Sequence, residues 1–500
     1  MLTEKLVLKN TQLTLYQTLA IIKLTKTNKM KRKLILIASI IGVFTIISCN
    51  SKQGKKDTDN KVSKITLSDS EVENLVKRSY QYVAMYNVIN NFAMMEKNPM
   101  SSGGWNKTKF NYSLADHTVR AIARPNNDTY YILSLLDLRD DAVLIKYPAL
   151  DTKYASLEVS GYDHYVTIPI ATSKGDFNEE TSILYYSDKT KNYSGEAIEG
   201  VDKTLKMSSD FIIAFLRVSA HETKDGRNVK AMDNFKLSTL TEFQGKDSYE
   251  KISIEFPAYG NDQMVFKNNF LEVMQFVFNH ISFDENNEMD KEVLAAFAPL
   301  GVKPGNEYDA SKVAQIDGER FAKIAAEIAI EELAAWNSPD GNPYLYEVFK
   351  PKDEMTLTPM LAQSAVGPIG LPATQAVYPG VGTIDGEPLN AMNDYVIRMT
   401  KEELPPATAF WSTTLYDAKD GFFIPNDRKK YIVGKNGGMK LNEEGGIEIY
   451  VAAEQPNGVP LENWLPINRE DLNLDIILRI YAPDTEKLEN WKAPKAEKLQ

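Results

Sequence analysis

The amino-acid sequence predicts a mainly β protein with a helical insert (α+β), in which two β-sandwich-like domains are joined by a helical segment. Short runs rich in β-branched and aromatic residues occur from about 128 to 255 and again toward the C-terminus. Turn residues separate these runs at short intervals, which favours an antiparallel sandwich or barrel over βαβ units. Between them, residues 268–336 carry apolar side chains at helical spacing. The chain has 500 residues, too many for one compact core, so two or more domains are expected.

The N-terminal 48 residues have the features of a targeting signal. A basic stretch, residues 31–33, precedes an apolar run, residues 34–47, which is shorter than the roughly 20 residues of a membrane-spanning helix. Residues 46–49, Ile-Ile-Ser-Cys, resemble a bacterial lipobox and contain the only cysteine of the chain. This resemblance implies cleavage before Cys49 and attachment of diacylglycerol to its thiol. A plain signal anchor with an incidental cysteine is the alternative.

Removal of the signal would make the protein strongly acidic. Residues 1–29 lie upstream of Met30, where such a signal normally begins, and are predicted to be an extension from a misplaced start or to be removed with the signal. The first 48 residues hold eight Lys/Arg and one Glu of the 57 basic and 68 acidic residues, so cleavage leaves a net charge of −18. Such a chain repels phosphate backbones, and no nucleic-acid partner is expected. The polar residues 49–66 are predicted to be a flexible tether to the membrane of a bacterial cell envelope, facing the periplasm or the cell surface.

The first folded domain is predicted to cover residues 67–260. Ser68 and Glu71 form a capping-box pattern that begins a helix over about 69–96, and Pro99 follows this helix. The clearest strands that follow are predicted at 129–138, 142–147, 165–170 and 211–218.

A helical segment over residues 261–345 and a C-terminal β domain over residues 346–500 complete the predicted organisation. Ala310 to Trp336 is rich in Ala, Glu, Lys and Ile and predicts the strongest helix of the chain. Residues 337–380, rich in Pro, Gly and Asn, are predicted to be a long connector. The C-terminal strands are predicted at 394–399, 409–416, 446–451 and 474–481.

The sequence offers little for metal or nucleophilic chemistry. One cysteine and four histidines exclude a disulfide framework and a cysteine-rich zinc site. No G-x-S-x-G or H-E-x-x-H motif occurs. Residues 284–290 have calcium-like oxygens but lack the glycine of an EF-hand loop, so we predict that they cap the next helix. No metal and no cofactor are predicted.

A polar segment before the first long strand is one candidate site. Arg124 offers a planar fork to a carboxylate, a phosphate or a carbonyl group. Because burying it unpaired is costly, it needs a partner, either Asp128 after a turn of the chain or a ligand anion. Asn126 and Tyr130 complete this binding segment, and His117 and Asp128 are its acid/base candidates. The same residues would also serve a purely structural entry into the strand.

A second candidate site lies in the C-terminal domain. Trp411, Thr413 and Tyr416 are spaced along one predicted strand and could line a sugar or aromatic pocket; core packing is the alternative. Arg398 is a further binding candidate, and Asp417 is a third acid/base candidate.

A series of short segments occurs in the same order as in a known family. They are Arg124–Tyr130, Leu136–Leu138, Ala142–Leu144, Leu300–Gly305, Leu404–Pro406, Phe410–Ser412, Leu415–Asp417, Gly421–Phe423, Asn463–Pro466, Leu478–Pro483 and Trp491–Pro494. Over residues 70–498 the chain resembles a bacterial two-domain family that pairs domain-of-unknown-function families 1254 (N-terminal) and 1214 (C-terminal). The resemblance implies two β-sandwich-like units joined by helices, with a jelly-roll-like C-terminal domain, and it implies no activity. Residues 171–210 lack a glycine- and tryptophan-containing segment usual in the family, so an N-terminal pocket is expected to be altered.

Three functions are compatible with these observations. The first is a lipid-anchored binding or surface-interaction protein that takes a small molecule or a glycan and meets the membrane through its lipid. The second is a metal-independent, hydrolase-like enzyme with a polar site around Arg124 and Asp128. The third is a structural component of the envelope. Because sandwich domains host both binding and catalysis, only the arrangement of side chains can separate the three.

Overall fold

The chain is described here from a computed structural model that covers residues 66–499, apart from 121–122, 221–225, 248–251, 337 and 339–341. The predicted signal, the lipid attachment at Cys49 and nearly all of the predicted tether lie outside these residues. Within them, no helix is long and apolar enough to cross a membrane.

Two sheets pack face to face in the N-terminal part. Their strands are β1 (Lys107–Asn111), β2 (Thr129–Asp137), β3 (Val143–Tyr147), β4 (Ala155–Gly161), β5 (Val166–Thr167), β6 (Thr181–Ser187), β7 (Lys203–Met207), β8 (Phe211–Ser219) and β9 (Lys236–Thr239). The first sheet has the order β1-β2-β8-β4-β5 and the second β7-β6-β3-β9, with only β6 and β7 parallel. Alternate side chains of β2 and β8, such as Ile132 and Leu216, fill the space between the sheets.

Helices cover the other face of the five-stranded sheet. They are α1 (Asp69–Met94), α2 (Arg227–Met232), α3 (Leu240–Phe243), α4 (Asp262–Asn268), α5 (Phe270–Phe278), α6 (Glu288–Phe297), α7 (Gly318–Trp336), α8 (Leu357–Val366) and α9 (Thr485–Leu488), of which α1 and α4 to α8 form this layer. Leu133 and Ile213 on that face of the sheet join one core with Val76 and Val83 of α1. The predicted capping box is present, because the Ser68 hydroxyl accepts from the Glu71 amide and the Glu71 carboxylate accepts from the Ser68 amide.

Two sequence-based helix boundaries differ from the structure. The helix predicted from Ala310 begins only at Gly318, because Asp309 and Asp317 each bind a backbone amide ahead of them. The Asp309 carboxylate accepts from the Ser311 amide at 2.9 Å and forms a turn, and the Asp317 carboxylate accepts from the Arg320 amide at 3.2 Å. The predicted connector 337–380 contains α8, whose buried face packs against α1 and α7.

The C-terminal part is a second pair of facing sheets. Its strands are β10 (Ala376–Val377), β11 (Tyr395–Met399), β12 (Ala407–Asp417), β13 (Ile432–Gly434), β14 (Ile447–Ala452), β15 (Trp464–Pro466), β16 (Leu474–Pro483) and β17 (Ala496–Lys498). The sheet orders are β10-β16-β12-β13 and β15-β14-β11-β17. Trp411, Leu415 and Leu478 from the first sheet pack against Ile397 and Ile449 from the second.

The two sandwiches meet along the outer face of the β10-β16-β12-β13 sheet. Phe410 of β12 and Tyr481 of β16 share a core there with Tyr154 and Val166 of the N-terminal part. The chain is thus a mixed α+β protein rich in β-sheet, which confirms the predicted fold class. The junction between the sandwiches also buries polar side chains.

Candidate functional site

Asp128 lies at the centre of a polar cluster in the junction. Its side chain is fully buried, and its carboxylate accepts hydrogen bonds from the Ser412 hydroxyl at 2.7 Å and the Tyr481 hydroxyl at 3.2 Å. Asn126 donates to the same Tyr481 oxygen at 2.9 Å and accepts from the Asp128 amide at 2.5 Å. The polar segment that the sequence singled out therefore connects the first sandwich to the second.

Arg124 binds Asp475 and not Asp128, the protein partner predicted for it. Its Nε atom donates to Asp475 at 2.7 Å, whereas Asp128 is bound by hydroxyl groups of the other sandwich. Arg124 has a positive φ of 53°, uncommon for a residue with a Cβ, and its amide donates to the Gly421 carbonyl. This turn directs the Arg124 side chain away from Asp128. It also directs the backbone carbonyl group of Arg124 toward Arg479.

Arg479 is a buried guanidinium that the sequence analysis missed. It is only 6% exposed, and its Nη2 atom donates to the Arg124 carbonyl at 2.8 Å and the Tyr416 hydroxyl at 2.7 Å. Its guanidinium carbon lies 5.2 Å from the ring centre of Tyr378, a cation–π distance. Its buried Nε atom has no acceptor, and no carboxylate lies within 4.0 Å of the guanidinium, among the residues that the structure describes.

Arg217 and Glu158 form a buried charge pair at the junction. The Arg217 Nη1 atom lies 2.6 Å from the Glu158 carboxylate, and their side chains are 7% and 1% exposed. They lie on the paired strands β8 and β4. Burial raises the pKa of the Glu158 carboxyl, although the Arg217 guanidinium opposes that rise. Both Arg217 and Arg479 interrupt apolar strand runs, which is a signal that sequence reasoning could have used.

Tyrosine rings surround the two guanidinium groups. Tyr154 and Tyr481 have ring centres 4.9 Å apart, and Tyr481 also stacks on Phe410 at 4.3 Å. Burial raises the pKa of Tyr154 and Tyr481 well above the ordinary value, so both hydroxyls are neutral. The Tyr154 hydroxyl is buried and has no hydrogen-bond partner in the described part of the chain.

The site faces solvent at Tyr131 and Tyr378. Both residues remain partly accessible, whereas Tyr154, Tyr416 and Tyr481 are buried. The pKa of each is raised by burial and lowered by the nearby Arg217 and Arg479 guanidinium groups. Tyr131 and Tyr378 are thus the tyrosines near the guanidinium groups that keep some exposure.

Only some of the residues predicted for the C-terminal site reach this cluster. Tyr416 does, since its hydroxyl donates to the Pro125 carbonyl at 2.8 Å and accepts from Arg479. Trp411 and Thr413 point into the C-terminal sandwich, on the face of β12 opposite Ser412, so they cannot form a pocket with Tyr416.

The remaining candidates lie apart from the cluster. Arg398 is the exposed residue of β11, and it binds Glu448 and Glu497. The Asp417 carboxylate accepts from the Lys419 amide in a surface turn, and His117 bonds to the Tyr431 hydroxyl at 2.7 Å. Tyr130 packs against the N-terminal sandwich core. The predicted residues that the structure does not bring to the junction are therefore His117, Tyr130, Arg398, Trp411 and Asp417.

Among the described residues, the junction has neither a serine–histidine pair nor a cluster of metal ligands. Its Ser412 hydroxyl donates to a carboxylate, and no histidine contacts that hydroxyl within the described ranges. No group of three potential metal ligands was found among the described residues. The junction contains hydrogen-bond donors, two guanidinium groups, two carboxylates and aromatic rings.

Two family models match this chain, and both describe a protein of unknown function. DUF1254 matches residues 105–239 and DUF1214 matches residues 376–485, in that order along the chain. The chain therefore contains both domains in the order that the sequence resemblance implies. The junction draws on both matched segments, with Asp128, Tyr154 and Arg217 in the first and Ser412 and Arg479 in the second.

Solved structures support the same fold. The VPA0106 protein from Vibrio parahaemolyticus is 20% identical with a TM-score of 0.66, over 86% of this chain and 100% of that one. A protein from Burkholderia cenocepacia is 15% identical over 86% of this chain and 93% of that one, with a TM-score of 0.38, too low for a structural argument. No protein with a curated description matches the chain. The likeness to the Vibrio protein extends to the fold alone.

Proposed function

We propose that this chain is a lipid-anchored protein of the bacterial cell envelope that binds a small molecule at the junction of its two sandwiches. One observation carries the binding site: a buried donor without a protein acceptor lies on each side of the junction. These donors are the Nε atom of Arg479 and the hydroxyl of Tyr154. The anchor is proposed from the lipobox-like residues around Cys49.

The energetic cost of such donors supports a bound ligand. A buried polar group without a partner costs about 1–3 kcal/mol, and a charged group costs more. Native proteins keep few such groups, and those they keep call for an explanation such as function or bound water. Arg479 is the more costly of the two, because its charge is permanent. A ligand that supplies acceptors would offset this cost.

Partly accessible rings provide an approach to the donors. Tyr131 comes from the N-terminal sandwich and Tyr378 from the C-terminal one, and both keep some exposure. The Arg479 guanidinium lies against the Tyr378 ring at 5.2 Å. A rotation of the Tyr378 side chain would therefore bring solvent, or a ligand, to the guanidinium.

The enzymatic alternative loses the residues on which it rested. Asp128 is committed to the Ser412 and Tyr481 hydroxyls, and Arg124 is committed to Asp475. A glycan platform built on Trp411 is also unsupported, since that side chain is 5% exposed.

The test of binding is untargeted mass spectrometry of small molecules that co-purify with the full chain. We expect a compound that accompanies the wild type and is lost from Arg479→Met. Arg398→Met is the matched control, because the Arg398 side chain is exposed and has its own carboxylate partners, Glu448 and Glu497. If no compound distinguishes the wild type from Arg479→Met, water fills the junction and the proposed site is refuted.

The test of anchoring uses Cys49→Ala. If Cys49 carries the lipid, the variant leaves the detergent phase or stays uncleaved, and metabolic labelling with a fatty acid is lost. Unchanged partitioning, together with an unlabelled wild type, would rule out the lipid anchor without affecting the binding site.

A further inference from the structure

We infer that the small molecule bound at the junction is an organic monoanion, and that its carboxylate is bound by Arg479 Nε and the Tyr154 hydroxyl. This inference rests on the proposed function and adds the chemical class of the ligand. Three features support it: the unpaired charge of Arg479, the donor character of the two unpartnered groups and their placement at the junction.

The charges of the cluster leave one guanidinium without a direct counter-ion. Arg217 is paired with Glu158 at 2.6 Å. Asp128 receives hydrogen bonds from the neutral hydroxyls of Ser412 and Tyr481.

The contacts of Arg479 itself are all with neutral groups: a backbone carbonyl, the Tyr416 hydroxyl and the Tyr378 ring. Buried charges in proteins are normally paired with an opposite charge. Arg479 is therefore the group toward which a negative ligand is drawn.

The unpartnered atoms require an acceptor. A guanidinium has donors and no acceptor, so a ligand hydroxyl or amine proton cannot serve Arg479 Nε. Burial keeps the Tyr154 hydroxyl neutral, so this group can donate a hydrogen bond. Carboxylate oxygens accept from both kinds of donor, and hydrogen bonds with an ionised partner are about twice as strong as neutral ones.

The placement of the two residues is compatible with one shared ligand group. Arg479 and Tyr481 are two residues apart on β16 and project from the same face of the sheet. Tyr154 packs against that face, with its ring centre 4.9 Å from the Tyr481 ring. Arg479 is one of the two residues that flank Tyr481 along this face, the other being Pro483.

The single unpaired guanidinium also selects against other charges. Arg479 can pair directly with one negative charge, whereas a phosphate dianion would bring a second charge that no unpaired guanidinium of the cluster balances, at high cost. A cation would be repelled by the unpaired guanidinium group of Arg479. We therefore expect a carboxylate to bind in preference to phosphate or to its own neutral amide.

The test is thermal unfolding of the full chain at constant ionic strength. The probes are acetate, benzoate and octanoate, with acetamide, benzamide, octanamide and inorganic phosphate as comparisons. At least one carboxylate should raise the Tm of the wild type in a concentration-dependent way, while its amide and phosphate do not.

Two variants locate the effect. Arg479→Met should abolish the carboxylate-dependent shift, while the control Arg398→Met keeps it. Tyr154→Phe removes only the hydroxyl, so it should fold with an unchanged or higher Tm and bind the carboxylate about tenfold or more weakly. A Tyr154→Phe protein that is well folded and binds as tightly as the wild type would overturn the assignment.

The outcomes separate this inference from the proposed function. If the amides raise the Tm as much as the carboxylates, the junction binds a small molecule but the anionic class is wrong. If neither set shifts the Tm and no compound co-purifies with the wild type, both the inference and the binding site fail.

Discussion

The buried ion pair between Arg217 and Glu158 gives a prediction whose size follows from its geometry. Arg217→Met removes the guanidinium that lies 2.6 Å from the Glu158 carboxylate, and it leaves that carboxylate 1% exposed. Breaking a buried pair by removing one partner costs about 3–5 kcal/mol. Since the whole free energy of unfolding of a domain is typically about 5–15 kcal/mol, this loss is large.

The loss should depend on pH in a definite direction. Burial raises the pKa of Glu158 above its ordinary 4.5 even with Arg217 present, so the pKa must rise further without that guanidinium. A group whose pKa is raised by folding contributes stability below its unfolded pKa and loses it as the pH rises through the folded value. The loss of unfolding free energy in Arg217→Met should therefore be close to the full value of about 3–5 kcal/mol at pH 8. At pH 5 the stability of the variant should be closer to that of the wild type.

The assay is urea denaturation of the wild type and the variant at both pH values. Adding Glu158→Leu to Arg217→Met removes the stranded carboxylate, and the double variant should recover most of the lost stability at pH 8. The exposed Arg398→Met serves as control and should lose no more than about 1 kcal/mol. Equal losses at pH 5 and pH 8, with no recovery in the double variant, would show that lost packing and not the stranded charge is responsible.

Three further predictions concern other parts of the fold. Burial lowers the pKa of His164 to about 4, so the stability that this residue contributes above pH 6.5 is lost as the pH falls, by about 3 kcal/mol at pH 4. In a pH series of urea melts, His164→Asn should lack this pH-dependent loss. Gly318→Ala should lose about 3 kcal/mol, because its Cβ would lie 1.9 Å from a carbonyl oxygen of α4, while Gly382→Ala, in open space, should stay within about 0.5 kcal/mol. Arg124→Lys should lose at most about 1 kcal/mol in the same melts, since its contact with Asp475 is a single, partly exposed hydrogen bond; a loss of 3 kcal/mol would contradict the structure.

Part of the junction site could be predicted from the sequence. The segment from Arg124 to Asp128 was singled out because a permanent charge and a carboxylate in a short loop both need partners. Tyr416 was singled out as an aromatic residue on a strand. Arg217 and Arg479 were overlooked, although a charged residue inside an apolar strand run can be recognised without a structure. Their partners could not be found in this way, because nothing in one strand specifies the residue that faces it.

The sequence by itself determined the class of each element. Helical or alternating spacing of apolar residues depends on neighbours along the chain, so it predicts α1 and the main strands of both sandwiches. The capping box at Ser68 is also local, since its partners are three residues apart. The same local rules placed the chain in the mixed α+β class.

Only the tertiary structure decided which side chains meet. Arg124 finds its partner 351 residues further along the chain, and Asp128 finds Ser412 across 284 residues. Strand alternation requires Trp411 and Ser412 to face opposite sides, but it does not say which side packs inward and which meets the other sandwich. That choice depends on how the two sandwiches pack, and a hydrogen bond is sensitive to shifts of less than an ångström. Many topologies satisfy the local patterns, and the observed packing of the two sandwiches is what brings Arg479 and Tyr154 to the same junction.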